Sequence, residues 1–312
     1  MKLYGRGYIA TTAGGGGDSE LEIVSDLECR YTVLPVWGGV YVRSKSGTST
    51  WGFTTTPTTD LLSTGDNTVV YVDNTVSWDG NATSHSTLDG GATSPERCCV
   101  ACCSRRVVWA DSGGAVKEIQ PGKKHVEYKL EYPLPLQITA IAVGAQFTLA
   151  LGHCGIVWSW GTNNHGQLGQ GHIEEVKEPT PIDYLGGLQI RSIAAGYWHS
   201  LAVTEFDVVY AWGWNCKGQL GISSESKMET EPVVLFEEDS EIKKISCGRS
   251  HSAFLDTERR LYVCGYNKYG QCDPTNNTEE LYLNNTLSDK TVLVRGVSDV
   301  VCGPWSTYYV TD

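Results

Sequence analysis

The sequence predicts an all-β chain folded as a seven-bladed β-propeller, and three observations lead there. Glycine is abundant at 35 residues, beside many Val, Thr, Tyr and Trp, whereas methionine occurs twice. Glycine marks tight turns, and β-branched and aromatic side chains suit a pleated, half-buried surface. A long block recurs three times in the second half, with Gly144, Gly196 and Gly248 each 52 residues apart. The chain then ends on half of that block, and its start supplies a segment like the missing half. Such a period, built of several short strands, marks a propeller, because one small sheet cannot bury both faces without neighbours.

Lys2-Leu-Tyr-Gly5-Arg-Gly7 stands in for the half unit that the C-terminus lacks, so residues 1–10 are expected to share a sheet with 297–312 and close the ring. Gly14 to Gly17 reads as a flexible joint. Residues 22–135 carry degenerate blades. Tyr31 to Val42 fits strand–turn–strand, Thr68 to Trp78 fits a hairpin, and Cys98 to Ile119 fits another around the turn Asp111-Ser-Gly-Gly114. Ser44 to Asp66 and Asn81 to Glu96 are rich in Ser, Thr and Gly and read as loops. Lys123 to Leu136, with Pro133 and Pro135, reads as an extended connector.

The regular units span 138–169, 190–221 and 242–272. Each holds a strand ending at a glycine, a second strand opening on Phe147, His199 or His251, and a third ending on Gly161, Trp212-Gly213 or Gly265. From Thr148, Ser200 or Ser252 to that last glycine is 13 residues each time. An Asn-x-x-Gly-Gln turn follows, in which Leu220 is expected to fold back as an apolar plug. The closing half unit runs through Gly303. Three weak units, three strong ones and one closed from both ends make seven blades in a single domain over 1–312; six is the alternative count.

The pattern Gly-x-x-His-Ser-Leu-Ala … Val-Tyr-x-Trp-Gly-x-Asn-x-x-Gly-Gln-Leu-Gly, read at 196–221, resembles the repeat of the regulator-of-chromosome-condensation family over residues 138–272. Kelch repeats have a similar period but a recurrent Gly-Gly pair that is missing here. WD repeats are shorter, and Trp78-Asp79 does not recur.

Composition narrows the function. The formal net charge of −12 argues against direct duplex DNA binding, which depends on neutralising phosphates, and is compatible with a basic partner such as a histone tail. No run of 18 apolar residues suggests a membrane span, and Met1 to Gly17 has no signal-peptide core, so reduced thiols in the cytosol or nucleus are expected for the eleven cysteines. Cys98, Cys99, Cys102 and Cys103 offer half a zinc site at most, and the stronger reading is a buried strand. His199 and His251 recur at one repeat position, which marks architecture; each is expected to tie its loop to a neighbouring blade. There is no nucleophile elbow, phosphate loop or zinc-protease helix, so no enzyme, cofactor or metal is expected.

Positions that depart from the repeat are the better interaction candidates. Trp198, Trp214, Tyr266, Tyr269 and Trp305 sit at variable places inside regular motifs, with Tyr197 in the same loops, and such aromatics serve as binding anchors or as inter-blade packing. The acidic run Glu237 to Glu241 could meet a basic tail or be a solvated loop. Trp212-Gly-Trp-Asn215, Gly265-Tyr-Asn-Lys-Tyr-Gly270 and Cys302-Gly-Pro-Trp-Ser-Thr-Tyr308 resemble the small single-propeller members of the family that accompany a JmjC-domain oxygenase. That resemblance implies a nuclear, chromosome-associated adaptor, with the cytoplasm as a second compartment, assisting histone demethylation and chromosome segregation. The alternatives are guanine-nucleotide exchange on a small GTPase, as in the founding member, and a ubiquitin-ligase substrate module.

Overall fold

Antiparallel sheets make up the chain in this computed structural model. It describes residues 137–312 except 223–224, 226, 237–240, 274–278, 282 and 284–291; before 137 it describes the strand segments and, between 101 and 128, some of their side chains. Each regular repeat forms one sheet with its strands in chain order. The 138–181 sheet comprises Ile138–Val143, Phe147–Gly152, Val157–Gly161 and Val176–Pro181. The 190–236 sheet comprises Ile190–Ala195, His199–Thr204, Val209–Trp214 and Met228–Phe236. In the 242–295 sheet, Ile242–Cys247, His251–Asp256 and Arg260–Tyr266 are followed by Glu280–Leu281 and Val292–Arg295, both paired with Arg260–Tyr266. A fourth sheet precedes them: Arg97–Cys103, Arg106–Asp111, Val116–Ile119 and Val126–Tyr128.

The second strand of each repeat is buried along its whole length, at Phe147–Gly152, His199–Thr204 and His251–Asp256. Such a strand packs on both faces, which explains its continuous apolar character. Neighbouring sheets share their cores: Leu201 and Val203 pack with Ile245 and Phe254, and Leu149 and Leu168 pack with Trp212 and Ala202. Leu168 and Leu220 are fully buried plugs, each worth roughly 1.5–3 kcal/mol.

The plug is held by its turn. Asn163 Oδ1 accepts from the Leu168 amide at 3.0 Å, Asn215 Oδ1 from Leu220 at 3.1 Å, and Asn267 Oδ1 from Cys272 at 2.9 Å. The Gln167 side-chain oxygen accepts from the His165 amide at 2.9 Å, and Gln219 repeats this with Lys217. Gly166 and Gly169 both sit at φ +70°, so the turn needs its glycines.

The repeat glycine has a different reason. A Cβ built on Gly196 would lie 2.0 Å from His199 Cε1 and 2.7 Å from the Gly248 carbonyl oxygen, and one on Gly248 would lie 2.1 Å from His251 Cε1 and 2.6 Å from the Gly303 oxygen. Phe147 takes the imidazole's place over Gly144. The glycine makes room both for its own ring and for the next sheet.

In the weak half, Tyr31–Val36 pairs with Gly39–Ser44, and Val69–Asp73 pairs with Thr75–Ser77. Several segments read as loops, as a joint or as an extended connector carry strands. Gly47–Trp51 pairs with Gly39–Ser44, His85–Thr87 with Thr75–Ser77, Val126–Tyr128 with Val116–Ile119, and Gly16–Asp18 with Tyr8–Ala10. Short strands at a sheet edge need little apolar surface, so Ser, Thr and Gly composition conceals them. In the last sheet Val297–Cys302 pairs with Ser306–Thr311, which pairs in turn with Lys2–Ala10 in the register Leu3 to Val310 and Gly7 to Ser306.

Replacing Gly196 or Gly248 by Ala is expected to destabilise the protein by roughly 3 kcal/mol or more in urea denaturation. Gly187→Ala is the control: nothing lies within 4 Å of its added Cβ, so only its φ of +81° opposes the change, at about 1 kcal/mol.

Candidate functional site

Four positions of the repeat converge on one end of the sheets. The residue after each repeat glycine links one sheet to the next: the Ala145 amide donates to the Tyr197 carbonyl at 3.2 Å, Tyr197 to Arg249 at 3.4 Å, and Arg249 to Pro304 at 3.1 Å. The next residue accepts from the one that follows the third strand's glycine, Trp214 to Trp198 at 2.7 Å and Tyr266 to Ser250 at 2.8 Å. Gly213 and Gly265 permit this approach, since a Cβ there would meet those same carbonyls at 2.6 and 2.5 Å. The fourth position, two residues after the turn asparagine, brings His165, Lys217 and Tyr269 to the same end. Variable side chains therefore project from an invariant hydrogen-bonded frame.

The side chains at these positions form a belt. Trp198 and Trp214 meet edge to face at 5.4 Å, and His165 of the preceding sheet lies 5.2 Å from both. Tyr197 abuts Trp198 at 5.6 Å. The second group is Tyr266, Tyr269 and Trp305, with centroids 5.7–6.2 Å apart. Arg249 joins the groups, its guanidinium carbon 4.4 Å from the Tyr197 ring and 4.9 Å from the Trp305 ring. Lys217 lies 5.7 Å over Tyr266 and pairs with Glu280 at 3.0 Å. All five aromatic candidates are thus brought together, each half-buried. They pack against one another across sheet boundaries and still present surface, so packing and exposure coexist.

A cavity of about 750 Å³ adjoins the belt. Its walls include Trp198, Tyr197, Arg249, Lys177, Glu175 and the Arg106–Glu118 pair. Sequence reasoning missed Arg106. Cys103 faces Arg106 as Gly144 faces Phe147, so Arg106 stands at the Phe147/His199 position of the degenerate sheet. It is buried and holds Glu118 through Nε and Nη2 at 2.9 and 2.8 Å. Its remaining donors reach the Phe147 carbonyl at 3.1 Å and Thr148 Oγ1 at 3.0 Å in the next sheet. The only signal was a basic residue before the apolar run Val107 to Ala110.

His199 makes the equivalent link: Nε2 lies 2.9 Å from Ser252 Oγ of the following sheet. Ser252 donates its one proton to the Gln219 carbonyl at 2.7 Å, so the imidazole donates from Nε2. Burial, with the His251 ring adding to it, holds His199 down to about 3; burial holds His251 at about 4. These are architectural groups with no reactive geometry. Burial also raises the Cys264 and Cys272 thiols and pushes Cys302 up to about 12. Cys98, Cys99, Cys102 and Cys103 lie on the strand Arg97–Cys103, with side chains outside the described residues. Of the acidic run only Glu241 is described; it is exposed and accepts from Thr257 Oγ1 at 2.6 Å. Among the described residues no cluster of His, Cys, Asp and Glu could hold a metal.

Residues 155–203 and 207–255 match the model of the regulator of chromosome condensation (RCC1) repeat, and a second model of that repeat matches 190–219 and 242–271. RCC1 domain-containing protein 1 of Mus musculus is 31% identical over 216 residues, covering 55% of this chain and 55% of its own. The chain thus spans about half the length of the curated relatives it matches first. Among solved structures, human WBSCR16 superposes with a TM-score of 0.75 at 16% identity, covering 100% of this chain and 98% of that one. Prp20p of Saccharomyces cerevisiae, described with its binding properties to Gsp1p and histones, gives 0.77 at 14%, covering 99% and 90%. At such identities these two likenesses concern the fold alone.

Arg106→Met is expected to cost roughly 3–5 kcal/mol by stranding Glu118, and the double change with Glu118→Leu to recover most of that, both read from urea midpoints. The histidines predict a pH dependence. An unfolded imidazole titrates near 6.5, so below that pH unfolding takes up protons and stability falls from pH 6.5 towards 4. His251→Phe, the residue type found at 147, should shrink the stability difference between pH 7.5 and 5 by roughly 1–2 kcal/mol.

Proposed function

We propose that this chain, which carries regulator-of-chromosome-condensation repeats over residues 155–255, is a non-catalytic protein-interaction platform built as a seven-bladed ring. We further read it as a chromatin-associated adaptor for a JmjC-domain oxygenase, acting in the nucleus on histone demethylation and chromosome segregation. The observation that carries the platform reading is the belt, where Trp198, Trp214, Tyr266, Tyr269 and Trp305 stand half-buried on one end of a rigid frame. Rigid Trp and Tyr anchors beside a cavity are what an interface hot spot needs.

The ring reading draws on the first strands of the sheets, which touch in sequence from Tyr31–Val36 through Leu61–Ser63, Arg97–Cys103, Ile138–Val143, Ile190–Ala195, Ile242–Cys247 and Val297–Cys302, and back to Tyr31–Val36. Closure by the N-terminal strand is supported by its pairing with Ser306–Thr311. The adaptor reading draws on the motifs at 212–215, 265–270 and 302–308 and on the similarity to RCC1 domain-containing protein 1. Exchange on a small GTPase is the second reading, favoured by the fold likeness to Prp20p, whose description names Gsp1p.

Affinity capture with the tagged full chain should recover a JmjC-domain protein, and Trp198→Ala or Trp305→Ala should weaken that capture by roughly 2 kcal/mol. Failure to recover any JmjC-domain protein sinks the adaptor reading. A nucleotide-release assay on a purified GTPase separates the alternatives: release speeded many-fold by the chain favours exchange, and an unchanged rate favours the platform.

A further inference from the structure

We infer that the end of the sheets carrying the belt recognises an acidic protein segment, and that Arg249 receives a carboxylate from it. This rests on the platform reading above and names the chemistry of its partner. The guanidinium of Arg249 is held between the Tyr197 and Trp305 rings, with carbon-to-centroid distances of 4.4 and 4.9 Å. Both rings lie within cation–π distance and hold the group in place. Its edge carries the N–H donors, and among the described residues none of these meets a carboxylate or any other hydrogen-bond acceptor. Other buried or half-buried arginines here are fully engaged: Arg106 by Glu118, Arg191 by Asp207, Arg260 by Asp256. Among the described residues Arg249 is the exception, and it lines the cavity.

A planar fork already ordered by two rings matches a carboxylate bidentately and loses little freedom on binding one. The local charge agrees. Arg106 and Glu118 neutralise each other, and among the described residues the other charged lining groups are Glu175, Lys177 and Arg249, one negative against two positive. The described lining is therefore net positive in a chain whose formal charge is −12. Such a chain repels a polyanion such as duplex DNA at long range and still accepts one carboxylate at this point. Trp198 and Trp305 flank the spot and favour an apolar side chain beside the acid. The occupant is thus a partner segment with acidic and apolar residues interleaved.

The test uses the full chain and three fluorescein-labelled, capped hexapeptides that alternate leucine with glutamate, glutamine or lysine, followed by fluorescence anisotropy. The glutamate peptide should bind, more weakly as salt rises, and the glutamine peptide should bind at least about tenfold more weakly. Arg249→Gln should weaken the glutamate peptide roughly 10- to 100-fold and leave the glutamine peptide unchanged. Arg249→Lys, which keeps the charge and loses the fork, should fall between. Thermal melts check folding, and the comparison of peptides on the unaltered protein stands without any variant. Equal binding of all three peptides, no binding of any, preference for the lysine peptide, or binding of a duplex oligonucleotide in their place overturns the inference. Partner capture that survives Arg249→Glu overturns it too and leaves the platform reading intact, whereas capture of no partner at all strikes the platform reading itself.

Discussion

Where one sheet meets the next, a ring lies over a glycine. Phe147 over Gly144, His199 over Gly196 and His251 over Gly248 each fill the volume that a Cβ would take, and at Gly196 and Gly248 the carbonyl of the following sheet's glycine closes the same space. This contact sets how closely the sheets approach. The chain of amide-to-carbonyl bonds from Ala145 to Pro304 then runs at a fixed spacing, and Ser200 and Ser252 reach the Gln167 and Gln219 carbonyls of the preceding turns. The plugs, the shared cores and the belt all depend on that approach. A single sheet has none of these partners, so its stability is inseparable from its neighbours'.

Much of this was legible in the residues because a repeat states each position several times. Gly144, Gly196 and Gly248 in phase exposed the frame, and Leu220 in its turn exposed the plug. The weak half stated its positions once. Gly47–Trp51 and His85–Thr87 carry few apolar residues, and short edge strands can be satisfied by backbone pairing alone. Arg106 was hidden for another reason. Nothing in a lone arginine shows that it replaces a ring, or that Glu118 twelve residues on lies across the strand pair to neutralise it. The aromatic candidates were visible as departures from the pattern, but their assembly into one belt was not. That required the interval between neighbouring sheets, which places His165 against Trp198 and Arg249 between Tyr197 and Trp305.

The frame and the belt divide the labour. Backbone groups and small residues build the frame, and they tolerate little change. The belt positions project from it with their backbone bonds already made, so side chains there vary without disturbing the sheets. At one such position stand Thr162, Trp214 and Tyr266, and at another Ala145, Tyr197, Arg249 and Pro304. A scaffold of this kind can acquire a binding surface by substitution alone, because function lives in the site and not in the fold.

Cysteine replaces larger residues in the third repeat. Cys264 stands where the other repeats carry Trp160 and Trp212, and Cys272 stands where they carry Leu168 and Leu220; both sulfurs are buried in the cores between sheets. With their thiols raised by burial, neither offers appreciable thiolate to an alkylating reagent while the sheets stay together. Their rate of alkylation therefore measures how often the joint between the 190–236 and 242–295 sheets, or the next one along, comes apart in the native state. The molecule carries its own gauge of local opening at the seams on which its shape depends.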